Sequence, residues 1–478
     1  MRRSARHTGE KSALRQWARP ALLVALAIGV RLVMLGAVNH WLWYGGMSTH
    51  FGISAEYLAQ GRGYAISPSL SQRMTADQTR AGRLLDLEEY RMSLPTDEYP
   101  TLERPPAYSW LLARSYRLTG DHRYRYVHLF QVFGDSLVCL LLFRLLTPWS
   151  RRAGYVAAGL YAVWPPVARN AVIVLPESFM PLLVAAIISV SIWAMTRRSL
   201  AVAALAGVLT GGAAYFRTEV LLLGFCLLPA FWFAWGSFRL AMIASAVFTA
   251  VSLTVLSPWL LRNHRLTGEW MLTNSVGPAL WVGGGEYQNP FGMIPDVKTA
   301  VAQLEREGIT DLVAQDRVFR ERFSEAFRAQ PDLFVTNAVR RFFRYLFART
   351  DWGFVGFFTR SVTFEQVQAG GGGTLAYLWA APGVFILKVV PWAVDILMVL
   401  AAIAGAMIGL RAGWPTTIAL AIVPFYFIAS RAPLAYDPRL AVPGYWAYAG
   451  LVAIAVDWGW AYCARMRRCS QTEWSIGT

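Results

Sequence analysis

The chain has 478 residues, 55% hydrophobic and only 15% charged, with a formal net charge of +16. A soluble domain carries about a quarter charged residues, so this composition excludes an ordinary soluble fold. Arginine supplies nearly all of the positive charge, and lysine occurs only at Lys11, Lys298 and Lys388. That charge flanks apolar blocks, as it does on the cytoplasmic side of membrane helices, so a nucleic-acid partner is not expected.

The blocks are about 15–25 residues long, the length that crosses a hydrocarbon core of roughly 30 Å. A basic tail, residues 1–19, precedes the first block at about 20–38. A cleaved signal sequence would have a shorter apolar core and a small-residue cleavage site. This block is longer and runs into Trp41, Trp43 and Tyr44, an interfacial anchor, so it reads as an uncleaved first span. A long polar segment, 39–125, follows on the outer side and is expected to contain amphipathic helices. Further blocks lie near 127–146, 153–167, 173–194, 201–216, 219–236 and 240–261. Arg151 and Arg152, Arg197 and Arg198, and Arg239 fall at alternate turns, which places those turns inside.

A second outer segment spans 262–376. Its stretch 311–348 reads as amphipathic helix, with Leu312, Val313, Val318, Phe319, Phe323 and Phe327 at helical spacing. Gly370 to Gly373 form a flexible break. The last spans are expected near 385–410, 414–430 and 441–462, before a basic tail at 463–478. The expectation is a single all-α polytopic membrane domain of about ten transmembrane helices, with two long helical outer segments and both termini cytoplasmic. The fifth inter-loop block carries Gly207, Gly211 and Gly212. Glycine-interrupted spans border binding sites, and close helix packing explains such glycines equally well. The four cysteines have no spacing that suggests a metal site or a disulfide framework.

Charged residues inside spans are costly without a partner or a role. Arg31 and Asp135 fall at similar depths, each a few turns below the outer surface, and a structural salt bridge is the favoured reading. The outer segments hold the other candidates. The first opens with His50-Phe-Gly-Ile-Ser-Ala-Glu56-Tyr57 and closes with Asp97-Glu98, Glu103-Arg104-Pro105-Pro106-Ala107-Tyr108. Carboxylates just outside a membrane suit a general base or a divalent cation, while a solvated loop with incidental acids is the plainer reading on charge alone.

Several segments resemble the GT-C superfamily of polytopic glycosyltransferases, more narrowly its bacterial branch related to protein mannosyltransferases and to aminoarabinose and lipopolysaccharide-core sugar transferases. Glu56-Tyr57-Leu-Ala-Gln-Gly-Arg-Gly-Tyr64 is similar to that group's first-loop start. Arg104-Pro-Pro-Ala-Tyr108 is similar to its R-P-P-x-Y element. Leu175-Pro176-Glu177 and Arg217-Thr-Glu219 are similar to its acidic second outer loop and T-R-P-E. Pro258-Trp-Leu-Leu-Arg262-Asn263 and Leu280-Trp-Val-Gly-Gly resemble its P-W-x-x-R-N and L-W-x-G-N. Asp437-Pro-Arg439 resembles the entry to its final span. The family places an aspartate just before the first Tyr, where this sequence has Ile53 and Ala55, which leaves its catalytic competence open.

The resemblance implies transfer of a sugar from a polyprenyl-phosphate donor to a hydroxyl of a glycan, lipid or protein acceptor at the outer face of a bacterial inner membrane. Glu56 would then serve as base or acceptor anchor, with Asp97, Glu98 or Glu103 as substitutes, and Glu177 would position the acceptor. Arg104, Arg217, Arg262 and Arg439 would bind the phosphate, since a guanidinium holds it bidentately; Tyr57 and Tyr108 complete the substrate site. A divalent cation with Glu56 and Glu177 is compatible with the sequence, although no His/Asp/Glu spacing requires one. Two other classes stand beside this one: a transporter or flippase that uses the buried charges as a pathway, and a non-catalytic member in envelope assembly. The absence of repeated halves weighs against a carrier.

Overall fold

The computed structural model describes residues 2–37, 45–91, 94–284, 297–347, 374–380, 382–434 and 437–476. Trp41, Trp43, Tyr44 and the Gly370–Gly373 break fall outside them. The tail and first span form helix α1 (Arg2–Ala37), and the first outer segment contributes α2 (Gly45–Ala59), α3 (Pro68–Ala81) and α4 (Ala107–Thr119). Strands β1 (Ala65–Ile66) and β2 (Tyr99–Pro100) pair antiparallel, Ala65 opposite Pro100. Then come α5 (Arg125–Ser136), α6 (Val138–Leu146), α7 (Arg151–Val163), α8 (Pro165–Asn170), α9 (Met180–Arg197), α10 (Leu200–Ala214), α11 (Leu223–Cys226), α12 (Leu228–Trp235) and α13 (Phe238–Thr267). The second outer segment supplies α14 (Val276–Gly284), α15 (Val297–Arg306), α16 (Leu312–Ala329) and α17 (Pro331–Phe347). The chain continues through α18 (Thr374–Ala380), α19 (Pro382–Arg411), α20 (Pro415–Ala429) and α21 (Tyr445–Ile476).

The protein is an all-α membrane protein. Among the described residues, seven stretches are long and apolar enough to cross a bilayer: Ala18–Ala37, Arg125–Leu146, Met180–Arg197, Thr218–Trp235, Phe238–Thr267, Val389–Arg411 and Arg439–Arg467. Leu200–Ala214 and Pro415–Ala429 are apolar but shorter, and α7 is shorter again. Each of the ten sequence blocks is thus largely helical, 127–146 as α5 and α6 and 219–236 as a tight turn followed by α11 and α12, while seven stretches meet the spanning length. In hydrocarbon every backbone amide needs an internal partner, which is why each block closes into helix.

Local chemistry sets the helix starts. At the basic end of the bundle, Ser150, Ser199 and Ser237 cap α7, α10 and α13, each hydroxyl accepting from an amide three residues on. The block expected from 173 becomes helical only at Met180. Pro176 and Pro181 favour a helix start, Leu175 is extended, and Pro176–Ser178 forms a tight turn. The single amphipathic stretch expected at 311–348 is two helices. Asp311 caps α16, donated to by Ala314 N at 2.7 Å, and Pro331 ends it by forcing Gln330 out of helical geometry.

The glycines of α10 are a packing device. A Cβ on Gly207 would lie 2.4 Å from Phe248 O, and one on Gly211 would lie 2.7 Å from Ser252 O. Small residues let the backbones of α10 and α13 touch, and Ser252 Oγ donates to Gly207 O at 3.1 Å. Gly61 and Gly63 have a different use. They sit at φ of 77° and 91°, and that left-handed geometry lets the chain turn from α2 into β1.

Arg31 and Asp135 meet in the membrane core, Nε to Oδ2 at 2.6 Å, with neither side chain exposed. Tyr161 Oη donates to Asp135 Oδ1 at 2.6 Å, and Arg31 Nη1 donates to Ala162 O at 2.9 Å. The network ties α1, α5 and α7 together, and leaving either charge alone costs about 3–5 kcal/mol. Arg31→Met and Asp135→Leu should therefore each lower the detergent unfolding temperature sharply, while the double variant recovers much of the loss. Additive losses in that double-mutant cycle would show that the pair is not coupled.

Candidate active site

Four turns converge at the end of the bundle opposite the serine caps. The first is the turn after α8. Its shape is held by Asn170 Nδ2 donating to Glu177 O at 2.8 Å, Ser178 Oγ donating to Leu175 O at 2.7 Å and Gln131 Nε2 donating to Ile173 O at 2.7 Å. These bonds present the Glu177 carboxylate inward, 2% exposed. The second is the turn after α10, which begins at Arg217. The third follows α20 and carries Arg431, Asp437 and Arg439. The fourth leads into α4 and carries Glu103 and Arg104.

Their charges interlock. Arg217 Nη1 reaches Glu177 Oε1 at 2.5 Å and its Nη2 reaches Glu219 Oε2 at 2.9 Å. Arg439 Nε lies 3.5 Å from Glu177 Oε1 and 2.7 Å from Asp437 Oδ2. Arg431 closes onto the Glu219 carboxylate, and Tyr426 Oη donates to Glu219 O. Arg104 lies over the Phe51 ring at 5.3 Å and is close enough to Glu177, Arg217 and Arg439 to feel their charges. The cluster is therefore four guanidiniums around three carboxylates.

Burial makes this arrangement costly. It pushes the Glu177 carboxyl up, but Arg217 and then Arg439 outweigh it and hold the group below the usual carboxylate range. Burial, with Arg217 beside it, pulls the Arg431 guanidinium down to about 9. Burial also lowers Arg104. Burial is the largest cause of both shifts, and neighbouring arginines add to it. Among the described residues, Arg104 Nε, Arg431 Nε, Glu177 Oε2 and Glu219 Oε1 have no hydrogen-bond partner. A site that keeps buried donors and excess positive charge is built to receive an anionic group.

Of the residues singled out in the sequence, the structure brings together Glu177, Arg104, Arg217 and Arg439. Tyr108 packs beside them, its ring against Phe51 at 5.2 Å and Phe179 at 6.3 Å, its Oη accepting from Gln131. The others stand elsewhere. Glu56 contacts His122 Nδ1 and accepts from Gln60 Nε2 at 3.0 Å; that histidine stacks on Tyr116 at 4.9 Å. Tyr57 Oη donates to Pro95 O at 3.0 Å under the Arg62 guanidinium. Arg262 donates to Thr101 O and Tyr64 O, both at 3.3 Å, and lies over Trp259 at 4.7 Å, so it pins the first outer loop to α13. Asp97 accepts from the Ser69 amide at the start of α3, and Glu98 pairs with Arg62 at 2.6 Å. Among the described residues, no three His, Cys, Asp or Glu side chains are grouped to hold a metal ion.

Arg431, Glu219 and Asp437 join the cluster without having been chosen from sequence. The signal was available for Arg431, which ends a span just as Arg262 and Arg439 border theirs. Helix α17 then fixes the turn that carries these groups. Arg341 donates to Leu434 O at 2.6 Å, Ala432 O at 3.2 Å and Gly283 O at 2.8 Å, and the Asp437 amide donates to Tyr345 Oη at 2.9 Å.

A family model for dolichyl-phosphate-mannose-protein mannosyltransferase matches residues 103–261, a third of the chain that contains Arg104, Tyr108, Glu177, Arg217 and Glu219. No curated protein matches the sequence. Among solved structures, the chain is similar to the archaeal oligosaccharyltransferase AglB from Archaeoglobus fulgidus in complex with an inhibitory peptide and a dolichol-phosphate. The TM-score is 0.51 at 12% identity, covering 96% of this chain and 52% of that one. The apo form of the Archaeoglobus fulgidus oligosaccharyltransferase aligns with a TM-score of 0.48, also at 12% identity and with the same coverage. The chain thus spans about half the length of the structures it matches, and the likeness is one of fold.

If α17 holds the cluster in register, Arg341→Met should destabilise the protein by about 2 kcal/mol or more, because three carbonyls lose a charged donor, and Tyr345→Phe by about 1 kcal/mol. Thermal unfolding in detergent measures both; no change in either variant would mean the turn is held by other contacts.

Proposed function

From a polytopic chain with the GT-C superfamily fold, we propose a glycosyltransferase that moves a sugar from a polyprenyl-phosphate donor to a hydroxyl acceptor at the outer face of a bacterial inner membrane. The observation that carries this reading is the largely buried cluster of Arg104, Arg217, Arg431 and Arg439, in which Arg104 Nε and Arg431 Nε have no hydrogen-bond partner among the described residues. A phosphate that leaves with the lipid gains negative charge as its bond to the sugar breaks. Fixed guanidiniums aimed at that charge stabilise the transition state more than the ground state. Glu177 and Glu219 orient the arginines, and their free carboxylate oxygens suit hydrogen bonds to sugar hydroxyls. Glu56, buried in the first outer loop beside His122, is assigned as an acceptor anchor. A divalent cation would take its ligands from substrate phosphate together with these acids.

The topology follows from the same placement. The serine-capped helix starts lie beside Arg151, Arg152, Arg198 and Arg239, and the Trp149–Trp414 contact puts the turn before α20 at that end as well. The basic end is assigned to the cytoplasm with both termini, and the arginine cluster to the outside. The acceptor is a glycan, a lipid or a protein hydroxyl.

The test is transfer in proteoliposomes from a panel of polyprenyl-phosphate sugars. Arg217→Met and Arg439→Met should lower the rate about 100-fold or more, with weaker donor binding that becomes less sensitive to salt. Glu56→Gln should chiefly raise the KM for acceptor. Full activity in the arginine variants would sink the phosphate assignment; solute flux through vesicles without transfer would favour a carrier.

A further inference from the structure

His50 lies on α2, one residue from Phe51, whose ring carries the Arg104 guanidinium. It is 8% exposed, and its Nε2 stands 3.3 Å from Glu103 Oε2. Neither ring nitrogen has a hydrogen-bond partner among the described residues. A buried imidazole with unused nitrogens is unusual, because desolvation without a partner costs free energy. The Glu103 side chain is 37% exposed, so the pair reaches from the interior toward the outer surface. Leu102, its neighbour, lines an open cleft of about 710 Å³ together with Tyr99, Thr267, Glu269, Asp311 and Arg317. This cleft opens between the two outer segments beside Leu102, the residue before Glu103.

We propose that His50, oriented by Glu103, takes the proton from the acceptor hydroxyl in the transfer step. The inference rests on the reading of the arginine cluster as the donor-phosphate site. The acceptor O–H bond breaks and its proton goes to an imidazole nitrogen. The acceptor oxygen forms a bond to the anomeric carbon as the bond from that carbon to the phosphate oxygen breaks. The bonding pair stays on the phosphate, which leaves as the polyprenyl monophosphate. His50 then releases its proton to water on the side of Glu103, whose side chain is 37% exposed. The imidazole, one residue along the helix from the ring under Arg104, is placed where acceptor and phosphate would meet.

The electrostatics give this base a gate. Two charged groups bear directly on His50: Glu103, which favours the imidazolium, and Arg104, which opposes it. Behind Arg104 stand Glu177, Arg217 and Arg439. Burial is the largest influence and lowers His50 to about 4, so in the free protein the ring is neutral at pH 7. A phosphate bound among the arginines offsets the positive charge facing the ring. The imidazolium then becomes easier to form, and the base strengthens only when donor is in place.

The experiment is histidine-labelled NMR of the full chain in nanodiscs, with farnesyl monophosphate as the probe and His50→Gln to assign the resonance. The expected result is a neutral His50 that titrates well below an ordinary imidazole and shifts upward by about one unit or more when the probe saturates. Glu103→Gln should shift the titration downward. In the transfer assay, His50→Gln should lower kcat by about 100-fold or more with the donor KM unchanged. Imidazole in the buffer should restore part of the rate of His50→Ala. The acid limb of the wild-type profile should move to lower pH in Glu103→Gln, because that variant removes the charge that favours protonation. A probe that binds in an Arg217-dependent way but leaves His50 unmoved overturns the proton-acceptor role and spares the arginine cluster. A probe that fails to bind removes the phosphate reading and this inference with it. Wild-type kcat in His50→Gln would also overturn it.

Discussion

Glu177 sits at the centre of the outer end because a carboxylate so buried cannot stand alone. Its charge has to be met by guanidiniums at hydrogen-bond distance, and the ones that meet it come from distant parts of the chain: Arg217 after α10 and Arg439 before α21. Each of those arginines then engages a second acid, Glu219 or Asp437, and Arg431 joins through Glu219. One desolvated charge thereby sets the relative positions of three turns on four apolar helices. In the bilayer itself the helices gain little from apolar contact with each other. Their register depends instead on the Arg31–Asp135–Tyr161 network and on close backbone approach at Gly207 and Gly211.

The same cluster explains how a fold with little soluble mass builds a reaction site. The turns are short and are fixed by side chain to backbone bonds from Asn170, Gln131 and Ser178, while α17 holds the Arg431–Asp437 turn through Arg341 and Tyr345. Preorganised charge of this kind does not need to rearrange as phosphate develops negative charge. The first outer loop has its own apolar core, including Tyr57, Tyr108, Leu112 and Tyr116, and Arg262 secures it to α13. The core of the first outer loop therefore meets the charged cluster where the Phe51 ring lies under Arg104.

Much of this was legible from the sequence because membrane physics writes it in apolar block length and arginine placement. The helical blocks and the Arg31–Asp135 pair follow from those two signals, whereas the grouping of Arg104, Glu177, Arg217 and Arg439 was implied by the resemblance to GT-C glycosyltransferases. Boundaries were harder. Apolar content alone put a span start at 173, whereas Pro176 and the hydrogen bonds around Glu177 delay the helix to Met180. The amphipathic stretch 311–348 hid its break because Pro331 falls between two segments with the same periodicity. Arg262 looked equivalent to Arg439 because both border spans. Only three-dimensional contact shows that its guanidinium is occupied by the carbonyls of Tyr64 and Thr101. His50 was silent for a similar reason: its significance lies in Glu103, which is far along the chain.

The order of the chain gives the Glu177 cluster a history during synthesis. Glu177 reaches the membrane early, and Arg217 follows it after a single helical hairpin, so these two charges neutralise each other long before Arg431 and Arg439 emerge. The half-built site is thus an ion pair that the translocation machinery can tolerate, and the excess positive charge appears only when the last two helices insert. A ribosome-bound intermediate lacking α20 and α21 would hold the acid with its first partner and none of the surplus charge. The arginines that crowd the cluster therefore join it from the turn between α20 and α21, after the Glu177–Arg217 pair is in place.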